Sequence, residues 1–108
     1  MNIETIKNTQ VITDPNARNM LDDAAHDEQK HLLGMIELCQ LTDIDIPALL
    51  SIRQHQLQKQ LDDTIVQYEK AKINEDFGIP QNNCSETLAI DIDLIIERIN
   101  FIEHICKN

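Results

Sequence analysis

Two residues with metal-binding side chains, Glu28 and His31, lie three positions apart in a segment whose apolar pattern predicts a helix. Residues at this spacing lie on one face of a helix, so a carboxylate and an imidazole could reach the same ligand. Both groups bind transition metals in proteins. The pattern also places Glu28 on the apolar face of the helix, where a buried carboxylate requires a partner. Glu28 and His31 are therefore the candidate metal ligands.

The stretch 25–33 around this pair, AHDEQKHLL, resembles the ligand helix of ferritin-like di-iron carboxylate proteins. In those proteins Glu-x-x-His presents two ligands to the core of a four-helix bundle. The resemblance covers one helix and implies a di-metal function for Glu28 and His31. A complete site needs a second such motif and further glutamates. The next predicted helix offers His55 with Gln58 at the matching spacing instead.

An ion pair is the alternative explanation for Glu28, and it is the one that we favour. A base on a neighbouring helix, such as Arg53 or Lys59, would neutralise the buried carboxylate without a metal. A motif with only two specified positions also arises often by chance. We therefore expect no metal and no cofactor, and we expect that the chain is not an enzyme.

The three cysteines do not change that expectation. They are odd in number, widely spaced and without a CxxC pair, so neither a zinc site nor a disulfide framework is indicated. Cys39 and Cys106 fall on apolar helical faces and are predicted to be core residues. Cys84 falls in a loop and is the one thiol predicted to be exposed, but no histidine lies near it in sequence. A catalytic cysteine is therefore not indicated.

Composition limits the classes of partner. The formal net charge is -10, with 19 acidic residues against 9 basic ones, which argues against binding to nucleic acid or to an anionic membrane. The same charge is compatible with a protein partner that has a basic surface. The N-terminus lacks the features of a secretory signal, so we expect a cytoplasmic protein, in the cell that makes it or in one into which it is delivered.

The scarcity of glycine and proline predicts a few long helices with short connections. Three helices are expected, at about residues 14–41, 46–76 and 85–107, in a single helical domain preceded by an N-terminal arm of residues 1–13. The expected fold is an all-α antiparallel three-helix bundle. Gly34 could permit a close crossing between two of these helices.

Helix ends are marked by residues with capping side chains or special backbone conformations. Asp43 and Asp45 are predicted to provide capping oxygens for the second helix. Gly78 is predicted to end that helix in a left-handed conformation. Asn83 or Ser85 is predicted to cap the third helix.

The third predicted helix is apolar on two opposite faces. One face carries the bundle seam, and the other carries a second stripe of apolar residues, Ile90, Leu94, Phe101 and Ile105. Two helices of a three-helix monomer can hardly cover both faces. The N-terminal arm could dock there as an extra helix, since Ile3 and Ile6 are apolar. We favour a second copy of the chain, so the four stripe residues are the predicted self-interface of a homodimer completed along the C-terminal helix.

These features together predict a protein–protein interaction module. We expect a bacterial inhibitor, immunity protein or adaptor that binds and regulates a toxin or effector enzyme through the polar and acidic faces of the first two helices. The predicted partner-binding residues are Arg53, Gln56, Asp62, Asp63 and Glu69. A di-metal carboxylate protein and a purely structural dimerisation module are the alternatives.

Overall fold

The residues that the structure describes form four helices. A computed structural model describes residues 3–9, 20–81 and 83–107, with the side chains of residues 20–22 excepted. The helices are α1 (Ile3–Asn8), α2 (Met20–Leu38), α3 (Ile46–Asp76) and α4 (Ser85–Lys107). The described ranges contain no strand, so the all-helical prediction is confirmed, with a fourth helix in the expected arm. The predicted start of a helix at residue 14 and the boundary between residues 13 and 14 lie outside the described residues.

Helix α4 is the centre of the packing. Both α2 and α3 pack against α4, and α1 packs against α2. Near one end of α3, Gln54 Nε2 donates a hydrogen bond to Glu103 Oε1 at 3.5 Å. At the other end, Glu75 accepts hydrogen bonds from Ser85. The start of α3 therefore lies beside the end of α4, and the two helices run in opposite directions.

Isoleucine and leucine build the core, as the low aromatic content requires. The buried cluster draws on all four helices and consists of Ile6, Ala25, Leu32, Ile36, Ile46, Leu49, Leu50, Leu57, Ile95, Ile99, Phe101, Ile102 and Ile105. No described helix is both long enough and apolar enough to cross a lipid bilayer.

Part of the second apolar stripe of α4 is buried within this chain. Ile6 is fully buried in the same cluster as Phe101 and Ile105. Gln29 Nε2 on α2 donates hydrogen bonds to the carbonyl oxygens of Ile6 and Thr9, at 2.8 and 2.9 Å, which fixes the end of α1 against α2. The expectation that a second chain is needed to cover Phe101 and Ile105 is therefore wrong, because this chain covers them itself.

Helix α2 ends three residues before its predicted end. Gln40 adopts a left-handed backbone conformation, with φ 53°. The Leu41 N–H then donates to the Ile36 carbonyl at 3.0 Å, which is the hydrogen bond that closes a Schellman motif. A glycine normally occupies the position of Gln40, and the lack of one concealed this helix end in the sequence.

Helix α3 ends as the sequence predicts. Gly78 has φ 68°, and the Ile79 N–H donates to the Asn74 carbonyl at 2.8 Å. Glycine reaches this conformation without the steric cost that a Cβ atom imposes. Ile79 remains half exposed, so it contributes little packing against the helix.

The starts of α3 and α4 differ from the predicted caps. Asp45 makes no side-chain cap, because its Oδ2 atom accepts hydrogen bonds from the backbone and hydroxyl of Thr42 instead. At α4 the expected caps were Asn83 or Ser85. Instead, Ser85 donates to Glu75 of α3, and Cys84 places its sulfur 3.1 Å from Thr87 Oγ1 in the first turn.

Two other expectations about buried positions are corrected. Cys39 and Cys106, predicted as core residues, are both exposed. Cys39 follows the last residue of α2, and Cys106 lies in the last turn of α4. A Cβ atom added at Gly34 would meet nothing within 4 Å, so this glycine does not mediate a close crossing.

Candidate functional site

The residue singled out first by the sequence, Glu28, forms the centre of a buried ion cluster. Its side chain is 0% exposed. Arg53 on α3 binds it with two hydrogen bonds, from Nε to Oε2 at 2.8 Å and from Nη2 to Oε1 at 2.9 Å. This is the two-pronged geometry in which a planar guanidinium matches both oxygens of a carboxylate. The predicted pairing of Glu28 with Arg53 is confirmed.

A second arginine, Arg98 on α4, completes the cluster. Its Nη1 atom donates to Glu28 Oε1 at 3.2 Å. One carboxylate of α2 thus binds α3 and α4 at the same level of the bundle. Among the described residues, no buried side-chain nitrogen or oxygen lacks a hydrogen-bond partner. A buried charge that is satisfied in this way resists changes in the relative positions of the helices, since breaking one contact leaves a charge unpaired.

This geometry does not fit the di-metal interpretation. Both oxygens of Glu28 already accept hydrogen bonds from guanidinium groups, which repel a metal cation. His31 is exposed, whereas Glu28 is fully buried. Within the described part of the chain, no three His, Cys, Asp or Glu side chains are close enough to hold a metal ion. The ion cluster explains the presence of Glu28 in the Glu-x-x-His motif without a role for His31.

The predicted partner-binding residues divide into two groups. Arg53 is committed to Glu28, and its side chain is only 18% exposed, so its assignment to an external partner is corrected. The other four, Gln56, Asp62, Asp63 and Glu69, are exposed on α3. They lie on both sides of an apolar surface that the sequence analysis did not identify.

That surface, the α3 outer stripe, consists of four exposed apolar residues. They are Ile52 at 56%, Val66 at 49%, Ile73 at 54% and Phe77 at 78% exposure. At 100° per residue their directions fall within about 60° of one another, on the side of α3 opposite its buried residues. Positions 52, 59, 66 and 73 repeat every seven residues, and Lys59 interrupts the series. This repeat was the available signal, and the charge at Lys59 concealed it.

A second open surface, the α2–α3 groove, lies next to the ion cluster. It has a volume of about 700 Å³. Leu94 and Ile95 of α4 form its floor. Its other lining residues are Asp23, Ala24 and Asp27 of α2, Gln60 and Thr64 of α3, and Asp91 and Arg98 of α4. Of the predicted self-interface, Leu94 is partly buried here and Ile90 is half exposed, whereas Phe101 and Ile105 belong to the core.

Two hydrogen-bonded groups at the start of α4 have altered acidity. Hydrogen bonds from the backbone and side chain of Ser85 lower the pKa of Glu75. Hydrogen bonds to Thr87, chiefly to its side chain and also to its backbone, lower the pKa of the Cys84 thiol. The first effect stabilises the contact between α3 and α4, and the second makes Cys84 more reactive than an ordinary exposed cysteine.

Comparison of the chain with protein-family models, with curated proteins and with solved structures finds no match.

Proposed function

We propose that this chain is a protein-binding module that forms a homodimer through the α3 outer stripe and regulates a second protein as an inhibitor or adaptor. The observation that carries the proposal is the stripe itself. Helix α3 buries one apolar face in the core and exposes another along the opposite side. Soluble monomers rarely expose large contiguous apolar surfaces, and those that occur are commonly contact sites for proteins.

The sequence favoured a homodimer interface on α4. The interface that we propose lies on α3 instead. Phe101 is only 6% exposed and Ile105 is 0% exposed, so they have almost no surface to offer a second copy. Ile73 and Val66, by contrast, are about half exposed. Burial of such side chains against a partner contributes roughly 25 cal/mol per Å² of apolar surface removed from water.

The order of residues along the stripe is compatible with a two-fold symmetric pair. In an antiparallel arrangement centred near Asp62, Ile52 of each copy faces Ile73 of the other. Lys59 of each copy then comes beside Val66 and within reach of Asp62 of the other. An interface of this type must be self-complementary, because both copies present the same surface. Apolar residues at both ends meet that requirement, and Lys59 of each copy offsets part of the negative charge of Asp62 and Asp63 near the centre.

The ion cluster provides the rigid support that such a surface needs. Arg53 lies one residue after Ile52, so its contacts with Glu28 hold this part of α3 in place. A preorganised surface loses less conformational entropy when it binds. The second protein would meet the exposed polar residues beside the stripe or the α2–α3 groove.

A crosslinking experiment tests the proposed dimer directly. Ile52 and Ile73 are changed to cysteine in separate, differently tagged chains, mixed, and treated with a short bifunctional maleimide. The native exposed cysteines are replaced in all chains by Cys39→Ser, Cys84→Ser and Cys106→Ser. We expect crosslinks between position 52 of one chain and position 73 of the other, and none in a Gln67→Cys control, which lies off the stripe.

Crosslinks between two copies of Ile52→Cys would contradict the antiparallel arrangement. Absence of every crosslink at concentrations where the protein is folded would contradict an interface along α3. The role as a regulator is tested by recovering proteins bound to the tagged chain at native expression level. A stable dimer that recovers no stoichiometric partner would favour the purely structural module over an inhibitor or adaptor.

A further inference from the structure

We infer that the α2–α3 groove is the binding site for a basic amphipathic helical segment of another protein. This inference rests on the proposed function as a protein-binding module, and it specifies where the second protein binds and what chemistry it has. The groove is separate from the α3 outer stripe, since it lies on the core-facing side of α3, between that helix and α2.

The groove exists because of how the helices are arranged. Helices α2 and α3 both pack on α4 and make little contact with each other. The space between α2 and α3 is closed where Glu28 of α2 binds Arg53 and Arg98. Towards the start of α2 the space between the helices opens to about 700 Å³.

The floor of the groove is apolar. Leu94 is only partly buried there, although it projects from the helix at the centre of the fold. It belongs to the same stripe of α4 as Phe101 and Ile105, which are buried in the core in the other half of the helix. Ile90, one turn earlier in that stripe, is half exposed. At Phe101 the chain completes this packing itself. At Leu94 an apolar side chain from a partner would complete it.

The rim of the groove is acidic. Asp27 of α2 lines one side, and Asp91 of α4 lines another. Asp23 also lines the groove, but it already has an interaction partner within the chain and is not counted here. Arg98 also lines the groove, but it shares the charge of Glu28 with Arg53, and these three groups together carry one positive charge. The groove is therefore net negative, and lysine or arginine side chains beside the partner's apolar residue would be attracted to it.

These two properties select the class of partner. A small cation would gain nothing from Leu94 and Ile95, and nucleic acid or an anionic lipid would be repelled by the aspartates. A helix with an apolar row between basic residues matches both the floor and the rim, in the manner of helix-in-groove recognition. The groove is open along one side, which admits a polypeptide segment from the surface.

A designed peptide provides the probe. It is a labelled amphipathic helix with leucines on one face and flanking lysines, and its control carries glutamate in place of lysine. Binding to the full chain is followed by fluorescence anisotropy at low and moderate salt. We expect the lysine peptide to bind, with affinity that falls as salt rises, and the glutamate peptide not to bind.

Matched variants locate the site. The double change Asp27→Asn with Asp91→Asn should weaken binding by about 3- to 10-fold, the size expected for two exposed ion pairs. The control, Glu37→Gln with Asp43→Asn, removes the same charge at exposed positions near the end of α2 and should leave affinity within about 2-fold. Leu94→Lys should weaken binding by 10-fold or more, with circular dichroism confirming that the variant is folded.

Equal effects of the two double variants would overturn the inference, because the attraction would then be due to net charge alone. No binding of the lysine peptide at high micromolar concentration would also overturn it. Dimer mass is measured on the same samples by light scattering. A wild-type protein that is dimeric but does not bind the lysine peptide counts against the groove alone. A wild-type protein that is monomeric but binds the peptide counts against the proposed dimer alone.

Discussion

Arg53 on α3 binds both carboxylate oxygens of Glu28 on α2, at 2.8 and 2.9 Å, and Glu28 has no exposed surface. This contact gives α2 a direct link to α3, although the two helices otherwise pack mainly on α4. It also accounts for a charged residue in the apolar seam of α2. The groove on one side of this contact and the stripe on the outer face of α3 are both positioned by it.

Replacing Glu28 with alanine should destabilise the fold by about 3–5 kcal/mol, because the change leaves two arginines close together without their carboxylate. Urea denaturation of wild type and variant measures the difference. Glu37→Ala on the same helix removes an exposed carboxylate and should change stability by no more than about 0.5 kcal/mol. Equal stability of the Glu28→Ala variant and wild type would show that the ion cluster does not hold the helices.

The two glycines should respond in opposite directions to substitution by alanine. Gly34 lies inside α2 with nothing near its Cβ position, so Gly34→Ala should raise the free energy of unfolding by up to about 1 kcal/mol. Gly78 has φ 68°, so Gly78→Ala should lower it by about 1 kcal/mol. Chemical denaturation of both variants provides the test. A destabilising Gly34→Ala would indicate a contact that the fold described above does not contain.

The helices in the second half of the chain could be predicted from sequence, and α3 and α4 occupy the expected ranges. Their ends are marked by local signals, such as Gly78, that act within a few residues. The pairing of Glu28 with Arg53 could also be predicted, because a carboxylate in an apolar seam requires a base and few are available on the next helix.

Features that depend on contacts between distant segments could not be predicted in this way. Ile6 and Phe101, nearly a hundred positions apart in the chain, belong to the same buried cluster. The placement of α1 depends on hydrogen bonds from Gln29 to backbone groups about twenty residues away.

The thiol of Cys84 should be alkylated faster than those of Cys39 and Cys106 near neutral pH. Its pKa is lowered by hydrogen bonding to Thr87, so a larger fraction is thiolate, which is the reactive form. Reaction with iodoacetamide across a pH series, followed by peptide mass analysis, measures each site. Thr87→Val should shift the profile of Cys84 to higher pH. An unchanged profile in that variant would refute the role of Thr87.

The contact between Glu75 and Ser85 should contribute stability that depends on pH. The folded-state pKa of Glu75 is lowered, so the carboxylate stabilises the fold above its unfolded-state pKa. This contribution is lost as pH falls through the folded-state pKa. Thermal unfolding should therefore show Glu75→Gln less stable than wild type at pH 7, with the difference shrinking below pH 4.5, the ordinary value for this group. A difference that stays constant across this range would contradict the charged contact.

The central claim is that the α3 outer stripe is a contact surface between proteins, and the mass of the chain in solution tests it most directly. Light scattering after size exclusion, at micromolar to high micromolar concentration, should give the mass of two chains rather than the 12.4 kDa of one. Val66→Asp and Ile73→Asp should each give the mass of one folded chain, and Gln67→Asp, which adds the same charge beside the stripe, should remain a dimer. A wild-type protein of 12.4 kDa at the highest concentration would contradict the claim.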